Sequence, residues 1–242
     1  MTPPVHPTFA PRLLSSRDEA PGIRTFRFQS PPGFAFIPGQ FVMFHFSDDP
    51  KTWRAYSICS SPAKAALWFE ITVGMVGAFS DRLGFLTEGG EHGLTARGPF
   101  GKWIYDVNAP HAVLVSGGTG VTPFRAMCLM KANRHAPGKI TVCCSAKTPG
   151  LLLYQNEYDA WRKAGVVVFP RVTATPPPDW NGLTGRWTAD AVIAASGSDA
   201  SAVYYLCGPN KMVQELREGL AAKGVPLEQV RTEKWGDYAD LI

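Results

Sequence analysis

Short runs of alternating apolar and polar residues fill the first part of the chain. Gly and Pro separate these runs, and five of them are long enough to be strands: residues 23–30, 40–46, 54–60, 67–73 and 92–98. Closely spaced strands with turn residues between them are typical of antiparallel barrels and sandwiches. One helix-compatible segment, residues 78–86, interrupts them. The pattern therefore predicts an antiparallel β-domain up to about Asp106.

The pattern changes beyond residue 110. Four nearly continuous apolar runs begin at His111, Lys139, Val166 and Ala202, and the first and last of them end in glycine-containing turns that lead into helix-compatible segments. Strands that alternate with helices predict an open α/β sheet, whose ligands bind outside the carboxyl ends of the strands.

Two domains follow from this change, and a length of 242 residues allows both. We place the boundary in the linker-like stretch 107–110, so that residues 1–107 form the β-domain and residues 108–242 the α/β domain. Residues 1–11 are interrupted by prolines and are predicted to be a loose leader.

Composition narrows the function classes. With 45% apolar and 18% charged residues, the chain can bury a sizeable core. The 24 basic and 20 acidic residues are too nearly balanced to indicate nucleic-acid binding, although the small positive excess suits an acidic protein partner. No apolar run approaches the ~20 residues of a membrane span, and the N-terminus lacks a signal-peptide pattern. The five cysteines have no metal-ligand spacing. We expect a cytoplasmic protein without a metal site, nucleic-acid partner or membrane span.

Residues 54–57 carry side chains suited to a phosphate-bearing aromatic ligand. In an extended strand Arg54 and Tyr56 project from one face, and Ala55 and Ser57 from the other. An exposed strand without a ligand explains the same residues, so both interpretations stay open here.

Gly77 and Ser80 stand at the start of the helix-compatible segment. The first turn of a helix offers unpaired backbone N–H groups to an anion. An ordinary capped connector helix is an equally good interpretation of these residues.

Glycines also gather where two strands of the predicted α/β sheet end. Residues 117–123, Gly-Gly-Thr-Gly-Val-Thr-Pro, follow a strand and open a helix, and such glycines let the backbone approach a diphosphate closely. No Lys follows them, as a P-loop requires, so phosphoryl transfer is disfavoured. Residues 207–209, Cys-Gly-Pro, repeat the arrangement at the fourth strand.

Near the C-terminus, Glu233 and Trp235 stand two positions apart and would share a face of a strand. They indicate either an edge strand or an aromatic cover on a flat ligand.

Seven motifs, taken together and in order, resemble the ferredoxin-NADP reductase family. They are RAYS (54–57), GAFS (77–80), GPFG (98–101), GGTGVTP (117–123), WNGLTGR (180–186), CGP (207–209) and EKW (233–235). The resemblance implies a flavin-binding antiparallel Greek-key β-barrel followed by an α/β parallel-sheet domain that binds a nicotinamide dinucleotide. It also implies a C-terminal tail that covers the flavin.

The resemblance implies flavin contacts for residues of the first domain. Arg54 would pair with the flavin phosphates, because a guanidinium fork matches two oxygens, and Tyr56 would lie along the ring. Ser57 would hydrogen-bond the ring nitrogen that accepts hydride. The other implied contacts are Ala55, Val73, Gly77 and Ser80.

Further contacts are implied for the second domain. Those with the nicotinamide dinucleotide and the flavin ring are Gly118, Thr119, Gly120, Thr122, Cys207, Gly208 and Pro209. Trp235 would cover the flavin until nicotinamide displaces it, and Glu233 would position or relay a proton. The predicted catalytic residues are Ser57, Cys207 and Glu233.

The chain departs from the family pattern in two places. Members often carry Lys or Arg just before the GxxS box, whereas residues 74–76 are uncharged, so Arg54 is expected to bear more of the phosphate binding. FAD remains favoured over FMN. NADP-specific members tend to place Arg after the Thr at 173, where this chain has Ala174; Arg171 or Lys147 are possible substitutes, and NADPH versus NADH stays open.

The expected activity is that of a flavoprotein reductase. It would take hydride from NADPH or NADH and pass electrons to a separate acidic acceptor protein, such as a ferredoxin, a flavodoxin or an oxygenase component. Two alternatives stay open: a reductase of free flavins or quinones, and a non-catalytic flavin- or nucleotide-binding subunit of a larger complex.

Overall fold

The structure, a computed structural model, describes residues 6–134 and 137–233. Seven strands and one helix make up its first half: β1 (Thr8–Phe9), β2 (Leu13–Ala20), β3 (Ile23–Gln29), β4 (Phe41–Phe46), β5 (Asp49–Ser57), β6 (Trp68–Gly74), α1 (Ala78–Gly84) and β7 (Leu94–Phe100). The strands form two antiparallel sheets, in the orders β1-β7-β4-β5 and β2-β3-β6. A bridge between Ile58 and Ile71 joins the sheets where the chain leaves β5. The antiparallel β-domain predicted from the strand pattern is therefore confirmed.

Aromatic side chains fill the barrel. Phe28, Phe44 and Phe69 are fully buried, and their ring centroids lie 5.6–6.5 Å apart. Because side chains alternate along a strand, each inward-facing position lies next to an outward-facing one. The barrel core therefore follows from the alternating pattern of the strands.

The second half is a six-stranded parallel sheet with helices. Its elements are β8 (His111–Gly117), α2 (Thr122–Arg134), β9 (Lys139–Ala146), α3 (Tyr158–Lys163), β10 (Val166–Val172), β11 (Leu183–Thr184), α4 (Ala189–Ala195), β12 (Ala202–Cys207), α5 (Asn210–Ala222) and β13 (Val230–Thr232). The strand order is β11-β10-β9-β8-β12-β13. The chain adds strands on one side of β8 and later returns to its other side at β12. Such a switch point opens a ligand crevice at the carboxyl ends of the two strands.

Four parallel strands begin where the apolar runs predicted them, and the α/β prediction is confirmed. The sequence pattern missed β1, β2 and β11. Strand β2 is rich in polar residues, and β1 and β11 have only two residues each. Strand β13 lies just before Glu233, where an edge strand was one of the two interpretations. The barrel ends at Phe100 and the parallel sheet starts at His111. The boundary at residue 107 remains a prediction.

The leader prediction for residues 1–11 needs correction at residues 8 and 9. Thr8 and Phe9 pair with Arg97 and Ala96 of β7 as an added edge strand. The ring of Phe9 lies 6.0 Å from that of Phe34 and 6.1 Å from that of Phe69. Burial of this ring holds the segment on the barrel although prolines surround it.

The described helices are short. The longest among them, α2 and α5, have 13 residues each. None is both long and apolar enough to cross a membrane. Among the described residues, no group of three or more His, Cys, Asp and Glu side chains could hold a metal ion.

We predict that Phe9→Ala lowers the free energy of unfolding by about 1–3 kcal/mol, because a half-buried ring is removed from the edge of the core. Thr8→Ala, at an exposed neighbour, should change it by no more than ~0.5 kcal/mol. Urea unfolding of both variants measures the difference. Equally small effects would show that the segment is loose after all.

Candidate functional site

A cavity of about 390 Å³ lies between β5 and the segment that leads from β6 into α1. It is lined by Asp49, Thr52, Arg54, Tyr56, Gly74, Val76, Gly77, Ala78, Phe79, Ser80 and Arg82. Four residues predicted as flavin contacts, Arg54, Tyr56, Gly77 and Ser80, are thus brought together at one place. The cavity combines two guanidinium groups with two aromatic rings.

Arg54 and Tyr56 line the cavity because they lie on the same face of β5. Arg54 is exposed, and its Nη1 donates to the carbonyl of Trp53 at 2.9 Å, which leaves its other N–H groups for further acceptors. The half-buried Tyr56 ring lies 6.0 Å from Phe44 and 6.3 Å from Phe79. Burial raises the pKa of Tyr56 to about 12, so its hydroxyl remains a hydrogen-bond donor at neutral pH.

The turn before α1 is held by Ser80. The Ser80 hydroxyl accepts the N–H groups of Val76 and Gly77, both at 3.0 Å, and donates to the Gly77 carbonyl at 2.8 Å. All of its hydrogen-bonding capacity is therefore engaged by the backbone. Ser80 shapes the rim of the cavity, and in this arrangement its hydroxyl does not point a free donor at a ligand.

Arg82 also lines the cavity, and the sequence argument missed it. Its Nη2 donates to Asp48 Oδ1 at 2.7 Å, and its guanidinium carbon lies 3.8 Å from the centroid of the Phe46 ring. A signal was present in the sequence, because Arg82 follows Phe79 by three positions and so shares its face of a helix. Arg82 therefore places a cation beside residues 77–80, although residues 74–76 before them carry none.

Ser57, Ala55 and Val73 lie around this cavity and are not among its lining residues. Ser57 is paired with Phe41 across β4, and Ala55 packs on a small cluster that contains Phe41 and Phe100. Both face away from Tyr56, as alternation along the strand requires. The Val73 side chain is buried in the barrel core, so only its backbone is placed to meet a ligand.

The two glycine-containing turns meet at the carboxyl ends of β8 and β12. A side chain on Gly120 would collide with the carbonyl of Cys207, and one on Gly208 would come within 3.1 Å of the Gly117 backbone. Gly208 and Gly118 have φ values of 144° and 56°, which favour glycine. The loops predicted to bind the dinucleotide are thus packed against each other, and only glycine permits this contact.

Thr119 and Thr122 differ in what they offer to a ligand. Thr119 is half-buried in the 3-10 turn Gly118–Val121. The buried Thr122 hydroxyl donates to the Thr119 carbonyl at 2.6 Å, which stabilises the turn. A methyl group on Gly74 would lie 3.9 Å from Cγ2 of Thr119. The turn Gly118–Val121, which is predicted to bind the dinucleotide and is called the dinucleotide turn below, therefore borders the barrel beside the cavity, which Gly74 also lines.

Cys207 and Glu233, 26 positions apart, meet at the end of β12. Strand β13 pairs with β12, and the Glu233 N–H donates to the Leu206 carbonyl at 3.2 Å. This places Glu233 Oε2 3.6 Å from Cys207 Sγ. Burial raises the pKa of Glu233 to about 7, whereas the contact with Cys207 acts in the opposite direction. The carboxyl can therefore carry a proton near neutral pH.

Two other sequence expectations concern residues away from this pair. Arg171 was a possible contact for a 2′-phosphate, but its Nη1 donates to the carbonyls of Thr184 and Arg186, and it stacks on Trp187 at 4.2 Å. It is engaged in the fold, whereas Lys147 is exposed. Trp235 lies outside the described residues.

Comparisons with known proteins agree with the two-part fold. Residues 114–218 match a family model described as an oxidoreductase NAD-binding domain. The ferredoxin–NADP reductase B of Sorangium cellulosum is 29% identical over 240 residues, which cover 94% of this chain and 97% of that protein. A stachydrine N-demethylase reductase subunit of Rhizobium meliloti is 27% identical over 90% of this chain but only 64% of its own length.

A solved structure shares the fold over nearly its whole length. A ferredoxin NADP⁺ reductase from Neisseria gonorrhoeae, with bound FAD and NADP, has a TM-score of 0.78. The alignment covers 93% of this chain and 98% of that one, at 19% identity. The likeness therefore concerns the arrangement of both halves.

We predict that Glu233→Gln removes a pH dependence of stability. A carboxyl whose pKa rises from 4.5 to about 7 on folding contributes stability that is full below pH 4.5 and is lost as the pH rises through 7, by about 3 kcal/mol. Urea unfolding between pH 4.5 and 8 should show this loss in the unsubstituted protein but not in the variant. Glu228→Gln, at an exposed carboxyl, is the control. Parallel curves for the unsubstituted protein and Glu233→Gln would contradict the assignment.

Proposed function

We propose a function from one premise, that the chain belongs to the ferredoxin-NADP reductase family of NAD(P)H oxidoreductases. The protein binds FAD in the barrel cavity and a nicotinamide dinucleotide at the glycine-containing turns. It passes electrons from NADH or NADPH to a separate acceptor protein. The observation that carries this proposal is the closeness of Thr119, in the turn Gly118–Val121, to Gly74 at the cavity wall, where an added methyl group would lie 3.9 Å from Thr119 Cγ2.

The donor set of the cavity fits a flavin with two phosphates. Arg54 and Arg82 supply two cations, and a guanidinium fork binds phosphate oxygens in pairs. Tyr56 and Phe79 supply apolar surface for a flat ligand. The bound FAD in the Neisseria gonorrhoeae structure supports the same choice. Two cations favour FAD over FMN, because FMN carries only one phosphate.

When bound, the flavin supplies the redox chemistry, since it accepts a hydride from nicotinamide and returns the electrons to an acceptor. The chain supplies binding and orientation. Arg54 would hold phosphate, Tyr56 would lie along the ring, and the Val73 backbone would add a contact. The Ser57 hydroxyl and the Ala55 backbone, on residues that face away from Tyr56, would contact the flavin only outside the cavity that Tyr56 lines. Gly77 and Ser80 shape the phosphate end of the cavity.

The second half orients the nicotinamide. Gly118, Thr119 and Gly120 take its diphosphate, and the Cys207 thiol with Gly208 and Pro209 lies beside the ring. The Cys207 thiol donates to Glu233 Oε2 at 3.6 Å, and the Glu233 carboxyl, with a pKa of about 7, holds the thiol in place and moves a proton in or out of a buried site. Thr122 supports the turn.

The acceptor is a protein with an acidic docking surface, in keeping with the net charge of +4. Relatives named as a ferredoxin reductase and as a demethylase reductase subunit favour a ferredoxin or an oxygenase component. A cytoplasmic location and a domain boundary at residue 107 remain parts of this proposal.

An anaerobic spectrum tests the function directly. The purified protein should show flavin absorbance, and addition of NADH or NADPH in separate cuvettes should bleach it. The nucleotide that bleaches at the lower concentration identifies the preferred donor. If the protein binds neither FAD nor FMN, the proposal is wrong. If it binds flavin and nucleotide but the flavin absorbance is not bleached, the non-catalytic alternative is supported.

We predict that Arg54→Ala weakens FAD binding by about 10- to 150-fold, which corresponds to the 1.5–3 kcal/mol of a charge-assisted hydrogen bond. Arg82→Ala should weaken it less, because the Arg82 guanidinium is already paired with Asp48. Fluorescence titration of the flavin-free protein with FAD and with FMN measures both effects. Arg162→Ala, which removes an exposed surface pair with Asp159, is the matched control. Unchanged affinity in Arg54→Ala would show that phosphate binds elsewhere.

A further inference from the structure

One face of β6 carries the junction between the two halves. Phe69, Ile71 and Val73 point into the barrel core. The alternate positions, Glu70, Thr72 and Gly74, therefore point outward. Each of these three meets a residue of the second half, so β6 presents a row of contacts that ends at the flavin cavity.

Glu70 is the first of the row and is a fully buried carboxylate. Its Oε1 accepts from Arg17 at 2.8 Å and from Arg27 at 2.9 Å, both on the barrel. Its Oε2 accepts from Nη1 of Arg125 at 2.7 Å, which belongs to α2 of the other half. Burial opposes ionisation, but the hydrogen bond from Arg17 and the charge of Arg125 outweigh it and lower the pKa of Glu70 to about 2.

Arg125 uses its whole guanidinium fork at this junction. Nη1 also donates to the Cys59 carbonyl of the barrel at 3.1 Å. Nε and Nη2 donate to Glu157 of its own half at 2.9 and 2.7 Å. The guanidinium is buried, and these carboxylates keep its pKa above the usual value despite burial. A planar fork with partners on both sides permits one relative placement of the two halves.

Tyr154 forms the second contact. Its hydroxyl donates to Thr72 Oγ1 at 2.7 Å, and Thr72 is hydrogen-bonded in turn to Thr25 at 2.6 Å. Tyr154 adopts a φ of 60°, which is uncommon for a residue other than glycine. The surrounding packing thus holds the Tyr154 backbone in a costly conformation, from which the side chain reaches Thr72 of β6.

We propose that the Arg125–Glu70 pair and the Tyr154–Thr72 hydrogen bond are positioning groups that set the dinucleotide turn against the flavin cavity. Arg125 lies in the first turns of the helix that the turn Gly118–Val121 opens, and Glu70 lies four residues before Gly74 on β6. Arg125 and the turn Gly118–Val121 are therefore in one continuous segment, and Glu70, Thr72 and Gly74 are on one strand, whereas Tyr154 reaches β6 from the segment between β9 and α3. The inference rests on the proposed function.

An ionic contact suits this role better than an apolar one. A buried ion pair adds little net stability compared with well-packed apolar residues, but its geometry specifies one register. Apolar faces tolerate a slide of an ångström or more, and transfer between two bound rings is sensitive to such a displacement. The junction is accordingly built from two hydrogen bonds of 2.7 Å between β6 and the second half, with a third of 3.1 Å from Arg125 to the Cys59 carbonyl of the barrel.

Arg125→Lys and Tyr154→Phe test the proposal in the full-length protein. The first keeps the charge but loses the fork, and the second removes only one hydroxyl. Tyr158→Phe is the matched control, because that hydroxyl donates to Leu153 within the same half. The first readout is hydrogen exchange of the amides of residues 118–121 in the flavin-free protein. The second is stopped-flow bleaching of the FAD-loaded protein at increasing nucleotide concentrations.

We expect the amides of residues 118–121 to exchange faster in Arg125→Lys and Tyr154→Phe than in Tyr158→Phe. The limiting rate of bleaching should fall at least tenfold in Arg125→Lys and severalfold in Tyr154→Phe, while FAD content and nucleotide affinity stay unchanged. A purely structural role would lower only the melting temperature. Limiting rates and amide exchange equal to those of Tyr158→Phe would overturn the proposal.

If Arg125→Lys does not fold, Tyr154→Phe decides the question by the same comparison. If the unsubstituted protein does not bleach, the proposed function fails. In that case unchanged amide exchange in Tyr154→Phe overturns the positioning role, and faster exchange supports it. The two failures are therefore distinguishable.

Discussion

The buried carboxylate of Glu70 holds the two halves of the molecule in register. Arginines from both halves converge on it, and it is fully buried in a row that continues through Thr72 to Gly74. Removing one partner of such a pair leaves a buried charge uncompensated, so the halves cannot separate or shift without a large cost. The placement of the cavity beside β5 relative to the turn Gly118–Val121 depends on this constraint.

A second constraint acts within the parallel sheet. The turns after β8 and β12 approach each other so closely that Gly120 cannot carry a side chain beside the Cys207 carbonyl. The same strand end brings Glu233 to Cys207 through the pairing of β13 with β12. Close backbone packing thus brings the two glycine-containing turns together with a buried carboxyl whose pKa is about 7. In the proposed function, this edge of the sheet supplies both diphosphate binding and proton control.

The sequence could predict features that depend on local pattern. The run from Lys139 to Ala146 could be predicted as a strand because it is nearly continuously apolar, and Arg54 and Tyr56 share a face because strands alternate. Pairs of residues far apart in sequence could not be predicted: Arg125 and Glu70 are 55 positions apart, and Arg82 and Asp48 are 34 positions apart. Strand β2 was not predicted because its outward positions are polar. The pairing of Thr8 and Phe9 with β7 was not predicted because the surrounding prolines indicated a loose segment. Contacts between distant segments are set by tertiary packing, which no local pattern encodes.

The central claim is that nicotinamide and flavin meet directly between the two halves. Anaerobic stopped-flow bleaching with the preferred nucleotide, deuterated at the transferred position of its nicotinamide ring, tests it most directly. Direct transfer between the two rings predicts that bleaching slows severalfold relative to the undeuterated nucleotide at saturation. Equal rates with the two nucleotides, when bleaching is slower than nucleotide binding and release, would contradict the account.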